Sequence, residues 1–241
     1  MGRGLYLLFE NDVAIFMIQL KIALKEKFYF VYTLLLPIFM VFLNKNLNFQ
    51  DDGSLYIYWS YIVVTTVFNG FLINIIRLRE SGFFKTLIFL VESKNMILLS
   101  NIFVQLIIVQ LEILLFNIFV TLFITHLSLI TFLYGFLTSF LATLLSAAMM
   151  VVLLFVKMKQ DSFNFLIGSL FVLGIALLGL HPNGILEYLL TILNPFQMIY
   201  ELYIVHCSSS TLKFLIGSCT ILYLAIAGFL LPKISINRYL K

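Results

Sequence analysis

The sequence predicts an all-α polytopic membrane protein, and three observations predict it. Of its 241 residues, 62% are hydrophobic and only 11% are charged. Mean hydropathy is +1.09. The charged residues are gathered into short runs between long apolar segments. At roughly 20 apolar residues per crossing there is length for about six spans, and none over for a sizeable soluble domain. The formal net charge of +4 does not signal nucleic acid, because the basic residues collect at span ends, where orientation accounts for them. Cys207 and Cys219 show no metal spacing and no clear disulfide. The apolar stretch at residues 5–9 is too short for a signal peptide, and Glu10 and Asp12 follow at once.

Taken in order, residues 13–27 carry Lys21, Lys25 and Lys27 within three turns and predict an amphipathic helix in the membrane interface. A first span follows at 28–43, with Pro37 in its middle as a kink that neighbouring helices can accommodate. The polar turn Asn44 to Ser54 suits the outside. The second span, 56–76, opens with Tyr56, Tyr58, Trp59 and Tyr61, which read as an aromatic belt at the outer interface. The third, 96–125, rises about 45 Å against a core of ~30 Å, so its ends tilt or protrude. A tight turn belongs near Thr125 to Ser128. The fourth span, 127–156, sets Gly135, Ser139, Ala142 and Ser146 on one face, which permits close helix contact. Lys157, Lys159 and Asp161 form a short loop before the fifth span, 162–180. His181-Pro182-Asn183-Gly184 breaks the chain. Residues 185–205 then read as a pair of short re-entrant helices broken at Asn194-Pro195. The sixth span is 214–231.

Residues 77–95 set the topology. Arg77, Arg79, Glu80, Lys85, Glu92 and Lys94 cannot lie in hydrocarbon, and four Lys/Arg in a short connection mark it as cytoplasmic. With six spans and both termini inside, 13 of the 15 Lys/Arg fall on the cytoplasmic side. A seventh span would move Lys233, Arg238 and Lys241 outside, against that bias.

Arranged this way, the chain resembles the permease subunits of type-2 ABC exporters. Those have an interfacial N-terminal helix and a first span with a mid-helix proline, here residues 13–27 and Pro37. They carry a coupling segment after the second span, matched by Arg79-Glu80-Ser81-Gly82-Phe83-Phe84-Lys85-Thr86-Leu87. They place a Gly/Pro break and an Asn-Pro between the last two spans, here Gly179, Pro182, Asn194 and Pro195. The resemblance covers the whole chain. Two positions depart from it: Ser93-Lys94 stands where a proline is frequent, and Leu178-Gly179 where a Ser-Gly is. The resemblance implies a multi-pass protein of a bacterial plasma membrane that moves hydrophobic or amphipathic cargo outward, such as a peptide, toxin or drug-like molecule. It implies two permease chains, identical or paralogous, in a lipid bilayer with two ATPase subunits that bind ATP and Mg. Arg77, Arg79, Glu80, Gly82, Phe83, Phe84 and Lys85 are then the coupling residues.

The residues themselves agree with a divided labour. No Gly-Lys pair exists in the chain, so it has no P-loop, and no catalytic residue or cofactor site is expected in it. A surface helix at 77–95 would pair its charges across a rim while Phe83, Phe84 and Leu87 fill a groove of the partner. Within the spans Glu112 is the single acid. It shares a helix face with Asn101 and Gln105, and the three could line a pathway or bond neighbouring helices. His126, His181 and His206 fall at external ends without metal spacing. An intramembrane enzyme needs paired acids or histidines inside spans, which one glutamate does not supply. A non-transporting receptor or immunity-type partner shares the topology and needs no ATPase-docking helix.

Overall fold

The computed structural model describes residues 2–25, 27–43, 53–91, 93–156, 160–178, 180 and 184–234. Glu92, Lys157, Lys159, Gly179, Pro182 and most of the polar turn after residue 43 lie outside these. All regular structure among the described residues is helical: α1 (Gly2–Lys25), α2 (Lys27–Leu43), α3 (Gly53–Val67), a π-helical segment (Phe68–Ile73), α4 (Asn74–Glu80), α5 (Phe83–Val91), α6 (Lys94–Phe123), α7 (Leu129–Leu153), α8 (Gln160–Ala176), α9 (Ile185–Leu193), α10 (Pro195–Tyr203), α11 (Ser210–Leu230) and a closing 3-10 turn (Leu231–Lys233). Among the described residues, four stretches are long and apolar enough to cross a membrane: Ser54–Glu80, Lys94–Phe123, Leu129–Leu153 and Ser210–Lys233. Val31–Leu43 and Asp161–Ala176 are shorter apolar helices.

Local chemistry explains where the long helices begin. Ser93, Ser128 and Ser209 stand just before α6, α7 and α11, each extended in backbone, and each hydroxyl accepts a backbone N–H from the first turn. That satisfies one of the donors a helix start leaves orphaned. The turn between α6 and α7 falls where the sequence places it.

The rod made of α3, the π segment and α4 is the axis of the molecule. Most of its side chains are buried, and α6, α7 and α10 pack around it. The small residues of α7 serve this packing, for Gly135, Ser139, Ala142 and Ser146 are all buried. A Cβ added at Gly135 would fall 2.6 Å from the Trp59 ring, so glycine admits the indole against the α7 backbone. The expected aromatic belt is corrected here. Tyr56, Tyr58, Trp59 and Tyr61 are buried inside the bundle, because α2, α6, α7 and α10 pack against α3.

Residues 77–95 are also more helical than a loop. Arg77, Arg79 and Glu80 complete α4, Ser81 and Gly82 make the turn, α5 follows, and Lys94 already opens α6. α1 begins at Gly2, well before the interfacial helix expected at 13–27, and ends at Lys25.

Hydrogen bonds fix which helix ends lie together. Arg79 donates to the carbonyl of Leu154 at 3.0 Å and Lys94 to that of Ile234 at 3.2 Å. The ends of α4, α7 and α11 and the start of α6 therefore share one side. At the other end, Tyr134 donates to the Tyr203 carbonyl. Tyr56 stacks on Tyr203 with centroids 6.1 Å apart, and Lys213 donates to the His206 carbonyl at 3.1 Å. The break between α9 and α10 is anchored in the interior. Asn194 caps α10 by accepting from Phe196 N–H and donates to the Gly174 carbonyl in α8 at 2.9 Å. Tyr223, well inside α11, donates to the Ile192 carbonyl at 2.8 Å.

Candidate functional site

Two sets of residues carry the chemistry: the charged end around α5, and a polar seam along one face of α6.

At the charged end, Gly82 takes a φ of +76°, a left-handed backbone that a Cβ disfavours. The turn is closed by Ser81, whose hydroxyl donates to the Leu78 carbonyl at 3.2 Å and accepts from Phe83 N–H at 3.3 Å. α5 thereby folds back from the end of the rod with two distinct faces. Phe84, Leu87 and Val91 are buried. Phe83, Lys85, Thr86, Phe89 and Leu90 are exposed, Phe89 at 88%.

This sorting revises the coupling set. Phe84 is fully buried in its own chain and so offers nothing to a groove elsewhere; the same holds for Leu87. Arg79 is 6% exposed, with its guanidinium on Leu154, the residue that caps the C-terminus of α7. A cation there meets the partial negative charge of unpaired helix carbonyls, so it ties α4 to α7. Arg77 and Glu80 are half-buried, and neither is without a partner. Phe83 and Lys85 stay outward as expected. Phe89 and Leu90 join them, one turn on from Lys85 and Thr86 on the same face, a spacing that the sequence reading did not use.

The seam joins α6 to four other elements. Asn101 donates to Gln19 of α1 at 3.1 Å, and Asn74 of α4 donates to the same oxygen at 3.4 Å. Gln105 lies over Gly70 in the π segment; a Cβ there would come 2.0 Å from its Oε1. The glycine thus makes room for the amide where the rod is wound as a π-helix. π segments recur at functional positions in helices. Glu112 is fully buried and accepts one hydrogen bond from Thr33 of α2 and one from Thr66 of α3, on separate carboxyl oxygens. Asn117 accepts from the Trp59 indole N–H at 2.8 Å.

Asn101, Gln105 and Glu112 are therefore brought onto one face, as their spacing predicts, and that face points between helices of this chain. Asn101 and Glu112 bond side chains of neighbouring helices. The groove on α6 is walled by Ser100, Leu106 and Leu111 in their place. Gln19, Thr33 and Thr66 were not legible as partners, because nothing local in the sequence ties them to α6. Pro37 is buried within α2, and Asn194 and Pro195 form the α9–α10 break. Among the described residues, no group of three His, Cys, Asp or Glu side chains is placed to hold a metal.

Comparison with protein-family models, with curated proteins and with solved structures finds no match for this chain.

Proposed function

We propose that this chain is the membrane subunit of an ATP-driven exporter, moving hydrophobic or amphipathic cargo such as peptides outward across a bacterial plasma membrane by alternating access. The observation that carries the reading is the outward face of α5. Phe83, Phe89 and Leu90 stand exposed beside Lys85, on a helix held to the charged end of the bundle. Aromatic and aliphatic anchors rimmed by charge are what a protein partner buries. The partner is a separate P-loop ATPase that binds ATP and Mg, since this chain has no Gly-Lys pair of its own. The working unit contains two permease chains, identical or paralogous, and two ATPase subunits.

Six crossings with both termini inside remain the preferred topology. α2 and α8 have 17 residues each, about 25 Å by helical rise, which modest local thinning of the bilayer accommodates. The shared side of the α4, α6, α7 and α11 ends supports placing the cations of 77–95 and Lys233 together in the cytoplasm. The anchoring of Asn194 to α8, with Tyr203 back among the far-side aromatics, supports a re-entrant path for α9 and α10.

Coupling would pass from α5 through the turn at Gly82 into the rod, and from the rod through the seam to α1, α2 and α6. Co-expression with a candidate P-loop ATPase tests the reading. Phe83→Ala with Phe89→Ala should lower the co-purified ATPase and cargo-stimulated turnover at least tenfold while thermal unfolding stays unchanged. Wild-type co-purification and transport in that variant would reduce α5 to a topology anchor.

A further inference from the structure

The support of the rod changes partway along it. α3, before the π segment, packs against α2, α6, α7 and α10, whereas α4, after it, packs chiefly against α5 and α8. Trp59 on α3 bonds Asn117, and Tyr56 stacks on Tyr203. α4 is tied by two side-chain reaches, Asn74 to Gln19 at 3.4 Å and Arg79 to the Leu154 carbonyl at 3.0 Å. The π segment, Phe68–Ile73, lies where the one kind of support gives way to the other.

Its own surroundings differ from side to side. Toward α6 it is filled, since a Cβ added at Gly70 would come 2.0 Å from Gln105 Oε1. On another side Phe68, Asn69 and Ile73 border a cleft of about 190 Å³, with Tyr32 of α2 and Gly168 and Phe171 of α8 across it. A Cβ added at Gly168 would meet nothing within 4 Å. A close-packed interior holds a helix in place. Here one face of the segment has space beside it, and a single amide fills the face at Gly70.

A π bulge carries one residue more than the α-helix that runs through it, and bulges are places where helices kink. We propose that the π segment is a hinge within the rod, held by the Gln105 amide against Gly70, about which α4 swings relative to α3 by using the α2–α8 cleft. α5 packs on α4 across the Ser81–Gly82 turn and is carried with it, while its contacts with α1 and α6 limit the swing. The hinge does not depend on what α5 docks to, so it stands or falls apart from the exporter reading.

Pulsed dipolar spectroscopy of the full chain in lipid nanodiscs tests it, with Cys207→Ser and Cys219→Ser as the background. Spin labels at Thr86→Cys on α5 and Leu137→Cys on the exposed face of α7 span the hinge. Labels at Leu137→Cys and Phe214→Cys, on α7 and the α11 packed against it, do not. Deleting Asn69 should leave a plain α-helix with α3 and α4 still in phase, and should narrow the first distance distribution at least twofold. Gln105→Ala should broaden that distribution at least twofold, and it decides the matter where the deletion does not fold. The second pair should be unchanged in both variants. An unchanged first-pair width in Gln105→Ala, or in a folded deletion variant, would make the segment a static bulge and overturn the proposal. So would equal broadening of both pairs by Gln105→Ala, which would mark a general loosening of the bundle.

Discussion

The charged end and the seam both gather polar residues onto a mostly apolar chain, yet they handle polarity in opposite ways. At the charged end the ionic groups reach water or helix-end carbonyls, as Arg79 does with Leu154, and apolar side chains are left outside. In the seam the side chains are amides, hydroxyls and an indole, with one carboxyl that has a hydroxyl on each oxygen. Water is absent from a bilayer core, so an unpartnered polar group there is costly; the seam pairs the Glu112 oxygens but leaves Gln19 Nε2, Asn101 Oδ1 and Asn117 Nδ2 without a partner. A group at the surface is free to recruit one from elsewhere. The contrast separates two jobs. In the proposed reading the charged end would set orientation and offer a partner surface, while the seam would hold neighbouring helices together.

The largest effect that sharpens this contrast comes from two phenylalanines on the same short helix. Phe84→Ala should destabilise the chain by about 3 to 5 kcal/mol, as expected for emptying a packed aromatic site. Phe89→Ala should change stability by no more than about 0.5 kcal/mol, as for an exposed position. Thermal unfolding in detergent reads both.

Smaller effects belong to the seam. Glu112→Leu strands the Thr33 and Thr66 hydroxyls and should cost about 1 to 3 kcal/mol. Glu112→Gln should recover most of that, since an amide offers both an acceptor and a donor to hydroxyls that can reorient. Gly70→Ala forces the Gln105 amide aside, and overpacking of this kind costs about 1 to 3 kcal/mol. Combining it with Gln105→Ala should be milder than the sum of the two, because the substitutions share one space. Trp59→Phe removes the bond to Asn117, about 0.6 to 1.7 kcal/mol for an interhelical hydrogen bond in a membrane, and the space the indole leaves against Gly135 adds to that cost.

The sequence exposed those features that depend on local pattern. Apolar runs located the helices because hydrocarbon leaves the backbone few alternatives. The polar residues from Thr125 to Ser128 marked a turn, Asn194-Pro195 marked a break, and the steps of four, three and four from Gly135 marked a contact face. What it hid depends on long-range placement. Thr33 lies 79 positions from Glu112, and nothing local to either announces the other. Tyr56 to Tyr61 carry the composition of an interfacial belt, and only the crowding of the rod by its neighbours turns them inward. Phe84 and Phe89 look alike in sequence. Their opposite fates follow from how the Gly82 turn lays α5 against the bundle.

The central claim is that the charged end faces the cytoplasm and that the outer face of α5 is a docking surface. Labelling a single cysteine at Phe89→Cys, in a chain with Cys207→Ser and Cys219→Ser, tests both parts at once. A membrane-impermeant maleimide should fail to label intact cells and should label inside-out vesicles, and the bound ATPase should suppress that labelling at least tenfold. Labelling of intact cells from outside would invert the topology. Labelling of the vesicles that the ATPase leaves unchanged would remove the docking surface from the account.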